Sequence, residues 1–176
     1  MIPDKITKAF NEQIMHEYFS AYLYLSMAAW LETEGLEGMG QWMRVQALEE
    51  MSHAMKFFDH ILERGGEPEL LAIKKPQAKW DSPLAAFNDA LAHEQFISGK
   101  INDLMTLSIA ENDHGSRTML QWFVDEQVEE EDNASKNVYN LRMVGDKGQG
   151  LLMLDREFGS RVFKLPLTPV LGTGAE

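Results

Sequence analysis

Four apolar stripes at helical spacing, one proline-bearing linker of about fifteen residues and short turns elsewhere predict an all-α protein. The architecture they imply is a four-helix bundle with one long crossover between helices two and three, plus a short fifth helix. From Asp4 to about Glu32, Phe10, Ile14, Ala21, Tyr24, Ala28 and Leu31 recur at steps of three and four, which is a helix stripe and not a strand, and Gly35 and Gly38 close the segment. A second helix from about Gly38 to Arg64 carries Met43, Ala47, Ala54, Phe57 and Ile61, and Gly65-Gly66 stops it. Glu67 to Asp81 holds Pro68 and Pro76 without a period, long enough to cross the length of a bundle. Ser82 and Pro83 suit the cap and first position of a third helix, bearing Leu84, Phe87, Leu91, Ile101 and Met105 to about Glu111. Asn112 to Gly115 reads as a turn, and Ser116 is placed to cap a fourth helix with Leu120, Phe123, Ala134, Val138 and Leu141. Gly145 to Gly150 breaks that helix, a fifth runs from about Leu151 to Phe158, and residues 161–176, with Pro166 and Pro169, form a tail beyond a single domain of residues 1–160.

Composition narrows the chemistry. The 176 residues contain no cysteine, so disulfides, zinc ribbons and thiolate clusters are excluded, and any metal must be held by carboxylate and imidazole. A formal charge of −12 with no basic run longer than Lys74-Lys75 argues against nucleic acid and favours cationic partners. The first ten residues show no apolar leader, and the longest apolar stretch, Ala21 to Trp30, is far short of the roughly 20 residues a span needs. A cytoplasmic protein that does not enter the membrane is expected.

Each stripe is interrupted at mid-helix by an acid or its amide: Glu17 on the first, Glu50 with His53 on the second, Glu94 on the third, Gln127 with Glu130 on the fourth. An uncompensated buried carboxylate costs several kcal/mol, and no Lys or Arg lies on the stripes to offset four of them. A lone Glu on a helix is ordinarily a solvated rim residue, and one Glu-x-x-His pair is weak evidence; the register is what carries weight. A shift of 77 residues carries Glu17 onto Glu94, Glu49-Glu50 onto Glu126-Gln127, His53 onto Glu130 and Phe10 onto Phe87. A pseudo-twofold two-metal site in a bundle core requires such an alignment.

The pattern of Glu on helix one, Glu-x-x-His on helix two, Glu on helix three and a Glu/Gln cluster on helix four resembles the ferritin family, in particular the bacterial non-haem ferritins. The resemblance spans residues 4 to 160, crossover and fifth helix included. It implies a ferritin-like bundle whose homo-oligomer is a hollow 24-subunit shell, a ferroxidase that oxidises Fe(II) with dioxygen or hydrogen peroxide at a di-iron centre, and storage of Fe(III) mineral inside. It also implies roles: Glu17, Glu50 and His53 hold the first iron, Glu50 bridges to a second held by Glu94 and Glu130, and Gln127 is an amide beside that second iron. Glu49, Glu126 and Glu129, with Glu130, match the acids of a third iron site in some bacterial members. Tyr24, seven residues beyond Glu17, resembles the tyrosine that bonds a ligand carboxylate and can donate an electron, and Trp122 matches an aromatic beside the site. His16, His60, His93 and His114 match no ligand and are expected at the surface or in turns.

Two departures bear on function. Glu50-Met51-Ser52-His53 has the spacing in which bacterioferritins ligate haem through Met, but those proteins carry a second Glu-x-x-His on helix four where this chain has Gln127-x-x-Glu130, so haem at Met51 is disfavoured. Arg117 and Leu120 stand where animal ferritins place the acids of an iron-entry channel, leaving Glu111, Asp113 or another pore for that task. The alternatives are a haem-binding bacterioferritin-like shell and a DNA-protecting mini-ferritin-like peroxide scavenger; the acidic balance disfavours DNA contact. A rubrerythrin-like peroxidase is excluded by the lack of cysteine, and a metal-free shell leaves the buried acids unexplained.

Overall fold

A computed structural model describes residues 1–163. Its helices are α1 (Asp4–Thr33), α2 (Glu37–Glu63), α3 (Pro83–Ala110), α4 (His114–Val144) and α5 (Gln149–Phe158), so the expected bundle with its crossover and short fifth helix is what forms. Most of the tail expected over 161–176 lies outside the described residues.

The register of 77 extends far beyond the acids. Phe10 and Phe87, Met27 and Leu104, Met43 and Leu120, and Ile61 and Val138 are all buried pairs at that separation. The turns repeat as well. Leu36 N–H donates to Leu31 O at 3.0 Å, and 77 residues later Asp113 N–H donates to Ser108 O at 2.9 Å. Gly35 and Asn112 occupy the same left-handed position, at φ 79° and 55°. Glycine meets no steric penalty there, and Asn tolerates it best among the other residues. Helices α1 and α2 therefore form one hairpin, α3 and α4 a second of matching design, and the two associate through α1 and α3.

Several local expectations shift. Gly38 lies inside the first turn of α2, where it admits α5: a Cβ at Gly38 would sit 1.8 Å from the Asp155 carbonyl oxygen. Ser82 caps α3 as expected, accepting from Ala85 N–H at 3.1 Å. Ser116, by contrast, lies within the first turn of α4, donating to Asp113 Oδ2 at 2.7 Å, and His114 and Gly115 are helical instead of turn residues. On α3 the buried stripe is Ala86, Phe87, Ala90, Ile97, Ile101 and Leu104; Leu84, Leu91 and Met105 are only half-buried. Two of these six positions, Ala86 and Ala90, are alanine, which the pattern of large apolar residues underweights.

The apolar core falls into two clusters. One gathers Met27, Leu31, Met43, Phe87 and Leu141 with the face of α5, and the other gathers Ile6, Phe10, Phe57, Ile97 and Phe123. Between them every helix of the bundle turns buried polar groups inward: Gln13, Glu17, Gln46, Glu50, His53, Glu94, Gln127 and Glu130. A bundle of this size gains most from one continuous core, so a polar layer through its middle signals a requirement other than stability.

Candidate metal centre

Helical spacing builds the layer. On α2, Gln46, Glu50 and His53 follow one another at steps of four and three, so all three project from one face. On α4, Gln127 and Glu130 do the same, while α1 and α3 present Glu17 and Glu94 from across the bundle. Among the described residues, Glu17, Glu50 and His53 each bring a ligand atom to within 4.8 Å of the other two, and all three are buried. His53 Nδ1 lies 3.4 Å from Glu50 Oε2.

The remaining members are held by hydrogen bonds. Gln13 donates to Glu17 Oε1 at 2.8 Å, yet Glu17 Oε2 is buried with no partner. Gln46 Nε2 donates to both Glu50 Oε1 at 3.1 Å and Glu130 Oε2 at 2.8 Å, tying α2 to α4. Glu94 accepts from the Tyr24 hydroxyl, and Gln127 Nε2 lies 3.3 Å from Glu94 Oε2. Trp122 packs edge-on against His53 with ring centroids 5.4 Å apart, and Lys56 covers its other surroundings with Nζ 3.5 Å from the indole centroid.

Charge follows burial and proximity. Burial first, then the Glu50 charge, pushes Glu17 up to about 8 and Glu130 up to about 7. Glu94 is driven well above the usual carboxylate range by burial and by Glu50 and Glu130, although Tyr24 and Gln127 donate to it. Burial alone would lower His53, but Glu50, Glu17 and Glu130 outweigh it and raise the imidazole to about 10. For Glu50 burial is overcome by His53 and its donors, and it stays below the ordinary value. Near pH 7 these shifts set an imidazolium against the Glu50 carboxylate and favour protons on Glu17 and Glu94, with Glu130 close to its midpoint. Those protons occupy the electrostatic role of cations. Carboxylates with one imidazole, one carboxylate oxygen left orphaned, suit a ferrous or similar divalent ion.

The expected residues divide by depth. Glu17, Glu50, His53, Glu94, Gln127, Glu130 and Tyr24 all lie in the buried layer. Glu49 and Glu126 are half-buried beside it, and burial raises both above the ordinary value against the opposing charges of Arg161 and His53 at Glu49 and of His53 at Glu126, whereas Glu129 is exposed. Met51 is 43% exposed on the outer side of α2. Three histidines depart from the surface expectation and are half-buried: His93, with Nε2 2.8 Å from Ser20 Oγ and lowered by burial to about 4; His60, 3.1 Å from Ser116 Oγ; and His16, edge-on to Phe96 with ring centroids 5.3 Å apart. The two acids left for iron entry are both paired with cations, Asp113 with Arg64 at 2.7 Å and Glu111 with Lys5 at 2.6 Å.

Three participants escape a motif reading. Gln13 and Gln46 each stand one turn before a ligand acid, a spacing of four that a search for buried amides beside acids would find. Arg161, which contacts Gln46 and Glu49, has no sequence signal, being more than a hundred residues away.

Comparison with known proteins gives the family. Residues 7–144 match the family model described as a ferritin-like domain. The chain is 34% identical over 163 residues to a bacterial non-heme ferritin of Staphylococcus aureus, covering 93% of this chain and 98% of that one. It is 34% identical over 160 residues to a probable bacterial non-heme ferritin-like protein of Haemophilus influenzae, covering 91% and 97%. Among solved structures, an open pore ferritin from the archaeon Archaeoglobus fulgidus superposes with a TM-score of 0.91 at 46% identity, covering 92% of this chain and all (100%) of that chain. A closed form of that ferritin, engineered by mutagenesis, gives a TM-score of 0.92 at 46% identity. The chain belongs to the ferritin family of iron-storage proteins.

Proposed function

From that membership we propose that the chain is a ferroxidase: it takes Fe(II) as substrate at a di-iron centre within each subunit, passes the electrons to dioxygen or hydrogen peroxide, and deposits Fe(III) mineral inside a 24-subunit homo-oligomeric shell in the cytoplasm. The observation that carries the reading is the buried polar layer, in which four helices contribute acids to one site and a carboxylate oxygen has no partner.

In this reading Glu17, Glu50 and His53 bind one Fe(II), and Glu50 is shared with a second bound by Glu94 and Glu130. Carboxylates stabilise the ferric product more than the ferrous substrate, because the interaction scales with the charge of the ion. Gln46 steadies Glu50 and Glu130, and Gln127 steadies Glu94. Tyr24, bonded to Glu94, stands where it can supply a further electron. Glu49, Glu126, Glu129 and Glu130 form the third position on the way out of the centre. Haem plays no part in this scheme, and a Soret band in the purified protein would contradict that.

The test is aerobic Fe(II) addition to wild type and Glu50→Ala, followed by ferric absorbance and by size-exclusion chromatography. Glu50→Ala is expected to slow the initial oxidation by about 100-fold while leaving the assembly intact, because both ions lose their shared ligand. Equal rates would refute the site assignment. A particle much smaller than 24 subunits would refute storage and leave the oxidation chemistry standing.

A further inference from the structure

Beyond α4 the chain returns to the polar layer. Helix α5 is docked at the start of α2 by fixed contacts: Asp155 Oδ1 accepts from Met39 N–H at 2.8 Å, α5 backbone lies against Gly38, and Phe158 stacks on Phe87 with centroids 5.1 Å apart. This anchor delivers Arg161 to the flank of α2, where its guanidinium lies 4.3 Å from the Trp42 ring centroid. Nη1 donates to Gln46 Oε1 at 2.7 Å, and Nη2 pairs with Glu49.

These contacts constrain Gln46. An amide accepts only through its oxygen, so with Oε1 held by Arg161 the NH2 end must face Glu50 and Glu130, to which it donates. Flipped, the amide would aim an oxygen at two carboxylates. Arg161 also occupies Glu49, with both side chains about one-fifth exposed, at 21% and 20%. It is thus a built-in cation against the acid that, on the reading above, opens the third iron position.

We propose that Arg161 is a positioning residue that orients Gln46 toward the paired metal ligands and competes with a third metal ion for Glu49, so that a cation enters the third position by displacing the guanidinium. The proposal rests on the metal-centre reading and adds to it a control element from outside the four-helix bundle. Occupancy of the first two positions leaves Arg161 in place, whereas occupancy of the third exchanges one cation for another.

The experiment is anaerobic titration of Co(II) into the assembled, iron-free full chain, read by calorimetry and by the visible Co(II) bands. Wild type is expected to bind two ions tightly and a third weakly. In Arg161→Gln and in Arg161→Met, which keeps the stem packed on Trp42, the third ion is expected to bind about tenfold more tightly. Arg161→Lys, which retains the charge, is expected to stay within about twofold of wild type. In a Glu49→Gln background the Arg161→Gln effect should vanish, which a merely structural role for Arg161 would not produce. Unchanged third-ion affinity in the variants, or an equal change in the Glu49→Gln background, overturns the competition. If wild type lacks the two tight positions, the metal-centre reading itself fails and this proposal falls with it. Should Arg161→Gln not assemble, Arg161→Met carries the same expectation.

Discussion

The two hairpins of the bundle share a register and differ in what they turn inward. The α1–α2 hairpin presents Gln13, Glu17, Gln46, Glu50 and His53; at the matching positions the α3–α4 hairpin presents Ala90, Glu94, Phe123, Gln127 and Glu130. Glu94 is satisfied by Tyr24 and Gln127, whereas the residue equivalent to Tyr24 is Ile101, so Glu17 lacks a hydroxyl and keeps an orphaned oxygen. A symmetric scaffold therefore holds an asymmetric site. The first hairpin carries Glu17, Glu50 and His53 and three of the donors, Gln13, Tyr24 and Gln46, but Tyr24 and one bond of Gln46 are spent on acids of the second hairpin, Glu94 and Glu130. Burial raises the acids of both hairpins, and the carboxylate oxygen left without a donor, Glu17 Oε2, is the one a cation would relieve most.

The largest expected effect bears on that cost. Glu17 has a folded value of about 8 against 4.5 for an ordinary Glu, and His53 about 10 against 6.5, so the folded metal-free protein binds more protons than the unfolded chain between those limits. Stability then falls as pH rises, since its slope follows the protons bound by the unfolded state minus those bound by the folded state. Two groups act in the opposite sense, Glu50 only below its ordinary range and His93, lowered to about 4, up to about pH 6.5, but they are outnumbered by Glu17, Glu94, Glu130 and His53. The metal-free thermal midpoint should drop by at least about 5 °C from pH 5 to pH 8, and Co(II) should restore more stability at pH 8 than at pH 6. A flat profile by scanning calorimetry would show that the layer is not protonated.

The next test removes the asymmetry at the ligands. Gln127→Glu with Glu130→His makes the α4 segment repeat Glu50-x-x-His53. Its second Co(II) should bind about tenfold more tightly while the metal-free protein loses stability, because a carboxylate replaces a donor to Glu94. Tighter binding without apo destabilisation would mean that Gln127 does not support Glu94.

A smaller effect separates the two glutamates. Tyr24→Phe deprives Glu94 of its hydroxyl partner and should cost about 1 kcal/mol in denaturant unfolding. It should weaken the second Co(II) and leave the ion at Glu17 and His53 unaffected.

The smallest compares the turns. Asn112→Gly makes the second turn match Gly35 and should change stability by only about 0.5 kcal/mol, whereas Asn112→Val at a φ of 55° should cost about 1–2 kcal/mol. Equal stabilities for the two variants would show that this turn does not need the left-handed conformation.

Much of this was legible in the chain. Helix stripes separated by Gly and Pro punctuation marked the elements, and the shift of 77 residues marked both hairpins and the paired acids, because a repeated helix pair must place equivalent side chains at equivalent depth. Leu84, Leu91 and Met105 pack against the core at its margin and not at its centre, since size alone does not say which side of a helix its neighbours cover, and close packing against α3 favours Ala86 and Ala90. His93 and His60 looked superficial because an imidazole carries no mark of burial until the Ser20 and Ser116 hydroxyls that receive it are in place.

By itself the sequence determined the bundle, its crossover and the donor types of the site: periodicity is a local property, and the lack of cysteine leaves only oxygen and imidazole for a metal. Tertiary structure alone decided which acids are satisfied and which are not. That depends on groups distant in the chain, with Tyr24 of α1 meeting Glu94 of α3 and Arg161 meeting Gln46 and Glu49 of α2 from more than a hundred residues away. Such pairings reflect where helices dock, and docking is set by the packed shapes of many side chains together, which no local spacing encodes.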